Sequence, residues 1–321
     1  MHNPISRFLL PLQSMEKLVT QSAKQKNQVY WLFQHDLRTP CFQLEGLARI
    51  YSSCYERKFF QKLKKRSKTL EDLLGKLDYY AAFEQQLKSQ PAIPTEVKLY
   101  LIRRVRTCTD DLEQQLAEEN WLNGKRILKI KQKLQEQVWH SEEEDSKKIA
   151  SFFQEEIIEI QEFQNKISNG IQDAETELHE YRRKLRWLSI YAQILQGQII
   201  LQPNKINATL LKSYATREIV ESPYNNLQKN KAIKFPIHLD KSCFYAISWM
   251  IKETGRLKDL SLTTNLLHEA CNATGISRAK MFNTRSTLAG YDPSQNYLKE
   301  ADKLIMTFKK LKVLDKLFIG L

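Results

Sequence analysis

Apolar residues recur at intervals of three and four along most of the chain, the spacing that gathers them on one side of a helix. The intervals predict helices over residues 14–54, 57–88, 95–138, 143–168, 172–200, 241–274 and 294–318. Pro40 is expected to kink or interrupt the first of these. The segment Ser89-Gln90-Pro91-Ala92-Ile93-Pro94 breaks the pattern between the second and third. The acidic run from Glu142 to Asp145 opens the fourth, where carboxylates suit the helix dipole. Residues 202–240 lose the periodicity; Pro203, Pro223, Pro236 and paired asparagines predict loops with short helices there. Nowhere is an alternation of apolar and polar residues sustained enough to require a sheet, so the chain reads as all-α.

Two of these helical patterns share a register. On a 100° wheel Leu37, Cys41, Leu44, Ala48 and Tyr51 form one stripe, with His35, Arg38 and Arg49 on the opposite face. A shift of 144 positions turns the stripe into Tyr181, Leu185, Leu188, Ala192 and Leu195, and the opposite face then carries His179, Arg182, Arg183 and Arg186. Each is followed by a glycine phrase, Leu73-Leu74-Gly75-Lys76-Leu77-Asp78 and Glu253-Thr254-Gly255-Arg256-Leu257-Lys258-Asp259, whose glycine suits a tight helix contact or a local bend. The repeat predicts two helical halves, residues 1–140 and 141–321, arranged about a pseudo-twofold axis, with 202–240 inserted in the second.

Charge adds a partner class. Lys and Arg number 50 against 37 Asp and Glu in 321 residues, a net charge of +13, while Gly and Pro stand at only 9 each. The balance points to nucleic acid, anionic lipid or polyphosphate, with solubility alone as the plainer reading. One basic run, Arg57, Lys58, Lys62, Lys64, Lys65, Arg66 and Lys68, has collective force although each lysine by itself reads as a solvated helix face. The cysteines at 41, 54, 108, 243 and 271 form no CxxC pair, which points to reduced, buried thiols and a cytoplasmic location. The first apolar run is cut by Pro11 and lacks the length of a signal-peptide core, and no stretch approaches the roughly 18 apolar residues of a membrane span.

The duplicated His-x-x-Arg helices, continued by basic residues and followed by a Leu-Gly-x-x-x-Asp-like phrase, resemble the CHAD (conserved histidine α-helical) domain family. The resemblance covers about residues 20–275 and is clearest over Leu178-His179-Glu180-Tyr181-Arg182-Arg183-Lys184-Leu185-Arg186. In the first copy Phe42, Gln43 and Glu45 stand where the family offers arginines, and Asp78 lies one residue early. The resemblance implies two pseudo-symmetric antiparallel helical bundles with a basic groove between them, and a non-catalytic module that binds inorganic polyphosphate or a related polyanion. The residues carried over to that role are His35, Arg38, Arg49, Lys62, Lys65, Arg66, His179, Arg182, Arg183 and Arg186. The chemistry fits: a cationic groove releases counterions from a polyanion, and arginine's planar fork matches phosphate oxygens. Arg182 and Arg183 are expected to lower the pKa of His179, and bound phosphate to raise it. No cofactor is implied.

Other readings compete. A helical interaction protein with a decayed anion site would spread its basic residues over convex surface, or pair Glu45 with Arg38 and close the groove. His35-Asp36-Leu37-Arg38-Thr39-Pro40 also resembles the phospho-acceptor box of sensor histidine kinases, but no glycine-rich nucleotide segment or α/β pattern follows it. Leu267-His268-Glu269-Ala270-Cys271 is half of a zinc motif without its second histidine, and arginines would oppose a metal held between His35 and His179. Trp31, Trp121, Trp139, Trp187 and Trp249 read as core or bundle-interface residues, not as a stacking platform, so nucleic acid is the lesser partner. There are no paired carboxylates in an apolar setting, no Ser/His/Asp spacing and no nucleotide loop, so the chain is read as a binder and not an enzyme.

Overall fold

A computed structural model describes residues 4–55, 58–91, 93–228, 230, 232–277 and 297–321. Its helices are α1 (Ile5–Ser22), α2 (Gln28–Gln34), α3 (Arg38–Tyr55), α4 (Lys58–Lys88), α5 (Thr95–Glu118), α6 (Lys125–Gln135), α7 (Glu142–Lys166), α8 (Glu180–Ile194), α9 (Lys205–Leu210), α10 (Arg217–Glu221), α11 (Lys241–Thr274) and α12 (Tyr297–Lys310). A small sheet joins β1 (Ile199–Gln202), β2 (Ile237–Asp240) and β3 (Phe318–Gly320). The protein is predominantly all-α, as the periodicity predicts, and one continuous buried cluster runs through both halves of the chain. Arg57 of the basic run lies outside the described residues.

The departures from the predicted elements have local causes. The first helix divides in three, and the break falls at His35–Leu37 with Asp36 at φ 60°. The Asp36 carboxylate accepts a hydrogen bond from the Thr39 amide and so caps α3. Pro40 therefore sits in the first turn of α3, where its missing N–H costs nothing, and neither kinks nor ends the helix. The predicted helix over 95–138 is split into α5 and α6 by Asn120 at φ 60° and Gly124 at φ 72°. The predicted helix over 172–200 begins with a π-helical turn, Ala174–His179, and stops at Ile194, after which Gln196 and Gly197 take positive φ and the chain enters β1. The sheet is the part that periodicity did not foresee. β1 pairs with β2 in parallel across the inserted segment, and β3 returns antiparallel to β2, pairs too short to leave a sustained alternation.

Both predicted stripes are core. Leu37, Cys41, Leu44, Ala48 and Tyr51 are buried, as are Tyr181, Leu185, Leu188, Ala192 and Leu195. The two helices that carry them cross at Gly46, where an added Cβ would lie 2.7 Å from Ile194 and 3.3 Å from Trp187. Trp121 and Trp187 are buried and the other tryptophans pack against the core. All five cysteines are buried and none is in a disulfide.

A polar network locks α1 onto the rest. Buried Arg7 donates to Asp145 at 2.9 Å, to Gln198 at 3.0 Å and to Tyr51, and Gln198 donates in turn to Ser146 at 2.8 Å. Because Asp145 is wholly buried, loss of Arg7 takes away a charged partner that water cannot replace. Arg7→Ala is therefore expected to lower stability by about 3–5 kcal/mol, read by urea denaturation, and a change under about 1 kcal/mol would refute the assignment.

Candidate functional site

A cleft of about 340 Å³ opens between α3, α4, α8 and α11. The sequence builds one wall by a capped turn. Asp173 accepts from the amides of Glu175 (3.0 Å) and Thr176 (2.6 Å), while Glu177 reaches back to the amides of Gln172 and Asp173. Those amide bonds hold the Asp173 carboxyl below its ordinary pKa. The π-helical turn they start ends on His179 and leads directly into α8, so His179, Arg182 and Arg186 descend one face of one continuous segment. Lys258 of α11 joins them in lining the cleft.

This wall is cationic and partly dehydrated. Burial pulls Arg182, Arg186 and Lys258 below their ordinary pKa values, since removal from water disfavours the charged form. His179 falls to about 4, through burial first and then through Lys258, Arg182 and Arg183. The sign matches the expectation from sequence, although burial and then Lys258 come ahead of either arginine. His179 Nδ1 is buried with no hydrogen-bond partner among the described residues, and its other nitrogen lies 3.9 Å from Glu175. Arg182 Nε donates to the Ile251 carbonyl at 3.0 Å, and its guanidinium lies flat on Gly255, where an added Cβ would come within 2.9 Å of Nε. Arg186 sits over the Phe42 ring, 4.6 Å from its centroid. Among the described residues it has no carboxylate within ion-pair reach. Arg183, exposed at the rim of the cleft, pairs with Glu180 at 2.7 Å.

The facing wall, from α3 and α4, is different. Arg38 lies against Gly75 as Arg182 lies against Gly255, but Glu71 (2.7 Å) and Asp78 (3.1 Å) clamp it. Glu45 and Asp72 line the same wall, and burial raises Glu45 to about 7. The Arg38 partner is thus Glu71; Glu45 instead lies 4.0 Å from Arg49. The cleft is bipolar, with the cations of α8 and α11 beside a single lining carboxylate, Glu175, and carboxyl groups gathered on α3 and α4 beside Arg38 and Lys68.

Arg38, His179, Arg182, Arg183 and Arg186 are therefore brought together, and the remaining candidates stand elsewhere. His35 caps the end of α2, exposed, with its ring stacked on Trp31 at 3.7 Å and Nδ1 on the Trp31 carbonyl. It does not line the cleft, nor does it lie inside a helix of a kinase-like hairpin. Arg49 is held at the junction of α3, α7 and α8, paired with Glu156 at 3.4 Å and stacked over Trp187 at 4.7 Å. Lys62 and Arg66 line a second groove, discussed below, and Lys65 is exposed and lines neither. Lys258, Glu71, Asp72 and Glu175 were not singled out from sequence as site residues. Lys258 lies inside the glycine phrase, three residues after Gly255, and that position was the available signal. Glu269 of the half zinc motif accepts from Tyr80 at 2.7 Å and from Tyr100, and no metal-binding group of His, Cys, Asp or Glu occurs among the described residues. None of the helices, among those residues, is long and apolar enough to cross a membrane.

Two outcomes are expected. A histidine whose pKa is lowered on folding costs stability as pH falls from its unfolded value of about 6.5 toward 4, because only the unfolded chain takes up the proton. His179 should accordingly titrate near 4 by NMR in the free protein and shift upward with phosphate; a titration near 6.5 would contradict the buried cationic setting. Gly255→Ala should displace the Arg182 guanidinium, so that any phosphate held by this wall binds several-fold more weakly while thermal stability stays level or rises, since alanine favours helix by about 1 kcal/mol. Compared with family models, with curated proteins and with solved structures, the chain matches none.

Proposed function

We propose that the chain is a non-catalytic binder of phosphate-rich polyanions, with inorganic polyphosphate the ligand of first choice. The cluster of His179, Arg182, Arg186 and Lys258 carries the reading. Four basic side chains share one cleft, all four are held below their ordinary pKa chiefly by dehydration, and the histidine leaves Nδ1 unsatisfied. A buried orphan nitrogen costs about 1–3 kcal/mol, and a dehydrated arginine without a counter-carboxylate gains most from a phosphate that accepts bidentate hydrogen bonds. An incoming phosphate supplies both needs.

Several contacts support the CHAD-like, two-copy reading. Each His-x-x-Arg arginine rests on the glycine of its own half, Arg38 on Gly75 and Arg182 on Gly255. Positions related by the 144-residue shift also meet one another: Phe42 touches Arg186, and Gly46 faces Ile190 at 3.5 Å from an added Cβ. Equivalent positions contact each other where a twofold axis passes between them, as in isologous dimers. In this reading Phe42 replaces a cation near the axis, where a second arginine would repel Arg186.

A second reading, a scaffold with a decayed site, has one observation in its favour. Glu71 and Asp78 occupy the arginine fork of the first half, and Asp72 adds negative charge to the same wall, while burial holds Glu45 toward its neutral form. Calorimetry with long-chain polyphosphate across a salt series separates the two readings. The binder predicts an affinity that falls steeply with salt, exceeds that for duplex DNA, and drops at least about 10-fold in Arg182→Ala/Arg186→Ala. Glu71→Gln/Asp78→Asn should free Arg38 and strengthen binding several-fold. Binding that is weak, or indifferent to the double substitution, makes the scaffold reading the correct one.

A further inference from the structure

α4 carries two separate sets of cleft residues. At 100° per residue, Lys58, Phe59, Lys62, Leu63 and Arg66 centre on one side of the helix, and Lys68, Glu71, Asp72 and Gly75 centre on nearly the opposite side. The second set faces the His179 cleft. The first forms one bank of a groove of about 330 Å³, whose other bank is α6 with Arg126, Lys129, Ile130 and Lys133.

The groove is amphipathic across its width. Half-buried Phe59, over the buried Leu63 and Ile130, forms the floor, and a cationic row runs along each bank. On α4 the row steps by four residues, about 6 Å; on α6 it steps by three and then four, about 4.5 and 6 Å. At one end the chain supplies a carboxylate of its own: Glu119, just past the end of α5, accepts from Arg66 at 2.7 Å and lies 2.9 Å from Arg126, so one oxygen bridges both banks. Beyond that bridge Lys58, Lys62 and Lys129 have no carboxylate within 4.0 Å among the described residues, while Lys133 pairs with Glu136.

We infer that this groove is a docking site for an acidic amphipathic helix of a partner protein, which continues along both banks the carboxylate bridge that Glu119 begins. The floor argues against a bare polyphosphate as its best occupant, since that ligand has no apolar surface to cover the partly exposed Phe59. The step of the cationic rows selects a helix. Asp or Glu residues three and four apart on a helix repeat at the same 4.5–6 Å, and the apolar residues between them fall on the face that meets the floor. A third helix laid there completes the packing that α4 and α6 leave open. The inference is independent of the polyanion reading, because the two sites lie on opposite sides of α4.

Fluorescence anisotropy with a labelled synthetic 20-residue peptide tests it, with leucines at i, i+3, i+4, i+7 spacing and glutamates on both flanks. The peptide should bind in the micromolar range. The double reversal Lys62→Glu/Lys129→Glu, checked for folding by circular dichroism, should weaken it at least about 10-fold. Leu63→Ser should act through the floor, but it can unfold the chain. The floor is therefore also tested from the ligand side, with a peptide that keeps every glutamate and has serines for leucines; it should lose at least 10-fold. Arg182→Ala/Arg186→Ala should leave peptide binding unchanged. The inference is overturned if the leucine-free peptide binds equally well, if the double reversal has no effect, if no binding occurs below about 100 μM, or if a single-stranded oligonucleotide displaces the peptide at lower concentration.

Discussion

α3 and α8 approach each other closely because position 46 has no side chain. With Gly46 against Ile190, Ile194 and Trp187, the backbones come near enough for Phe42 to lie under the Arg186 guanidinium and for Arg38 to face the α8 cations across a single cleft. A larger residue would overpack this crossing at a cost of about 1–3 kcal/mol and would move the two charged rows apart. The apolar stripes fix how each helix is rotated, and the crossing fixes how far apart their polar faces stand. The electrostatics of the cleft depend on both.

Given that spacing, the two walls reach different solutions to the same problem. A guanidinium on a glycine, half out of water, needs an anion. Arg38 finds it within the fold, in Glu71 and Asp78, and needs no ligand. Arg182 finds a backbone carbonyl and Arg186 an aromatic face, both weaker partners for a full charge. The second wall therefore remains short of negative charge, and that asymmetry is why the proposed phosphate site is assigned to one half and not to both.

How much of this was legible in the sequence follows the range of each interaction. The stripes at Leu37–Tyr51 and Tyr181–Leu195 were readable because helical burial has a local period. The break at Asn120–Gly124 was also readable, since asparagine and Asn-Gly are turn signals, but the basic periodicity on both sides masked it. The separation of Lys62 and Arg66 from the His179 cleft follows from helical phase on α4, which counting basic residues in a run does not respect. The clamp on Arg38 was not readable. Glu71 lies 33 positions away, and only the α3–α4 hairpin decides that it, and not Glu45, closes on the arginine. His35 shows a converse limit: its spacing to Arg38 matches that of His179 to Arg182, yet a left-handed residue at Asp36 takes it out of the helix.

The sheet has a consequence for the order of assembly. β2 ends at Asp240, whose carboxylate caps α11 through the Cys243 amide at 2.8 Å, and whose own amide donates to Leu317 at 2.8 Å. The start of the helix that brings Lys258 to the cleft is thus fastened by a residue 77 positions later (317 against 240). On the ribosome, α1 to α8 emerge first and can pack their stripes while α11 still lacks its final anchor. Contacts this distant in sequence close late, after the entropy of the intervening loop has been overcome. The cationic wall would then be completed only once β3 has left the exit tunnel, so that newly made chains pass through a period in which the stripes of α3 and α8 are packed and the cleft beside them is still incomplete.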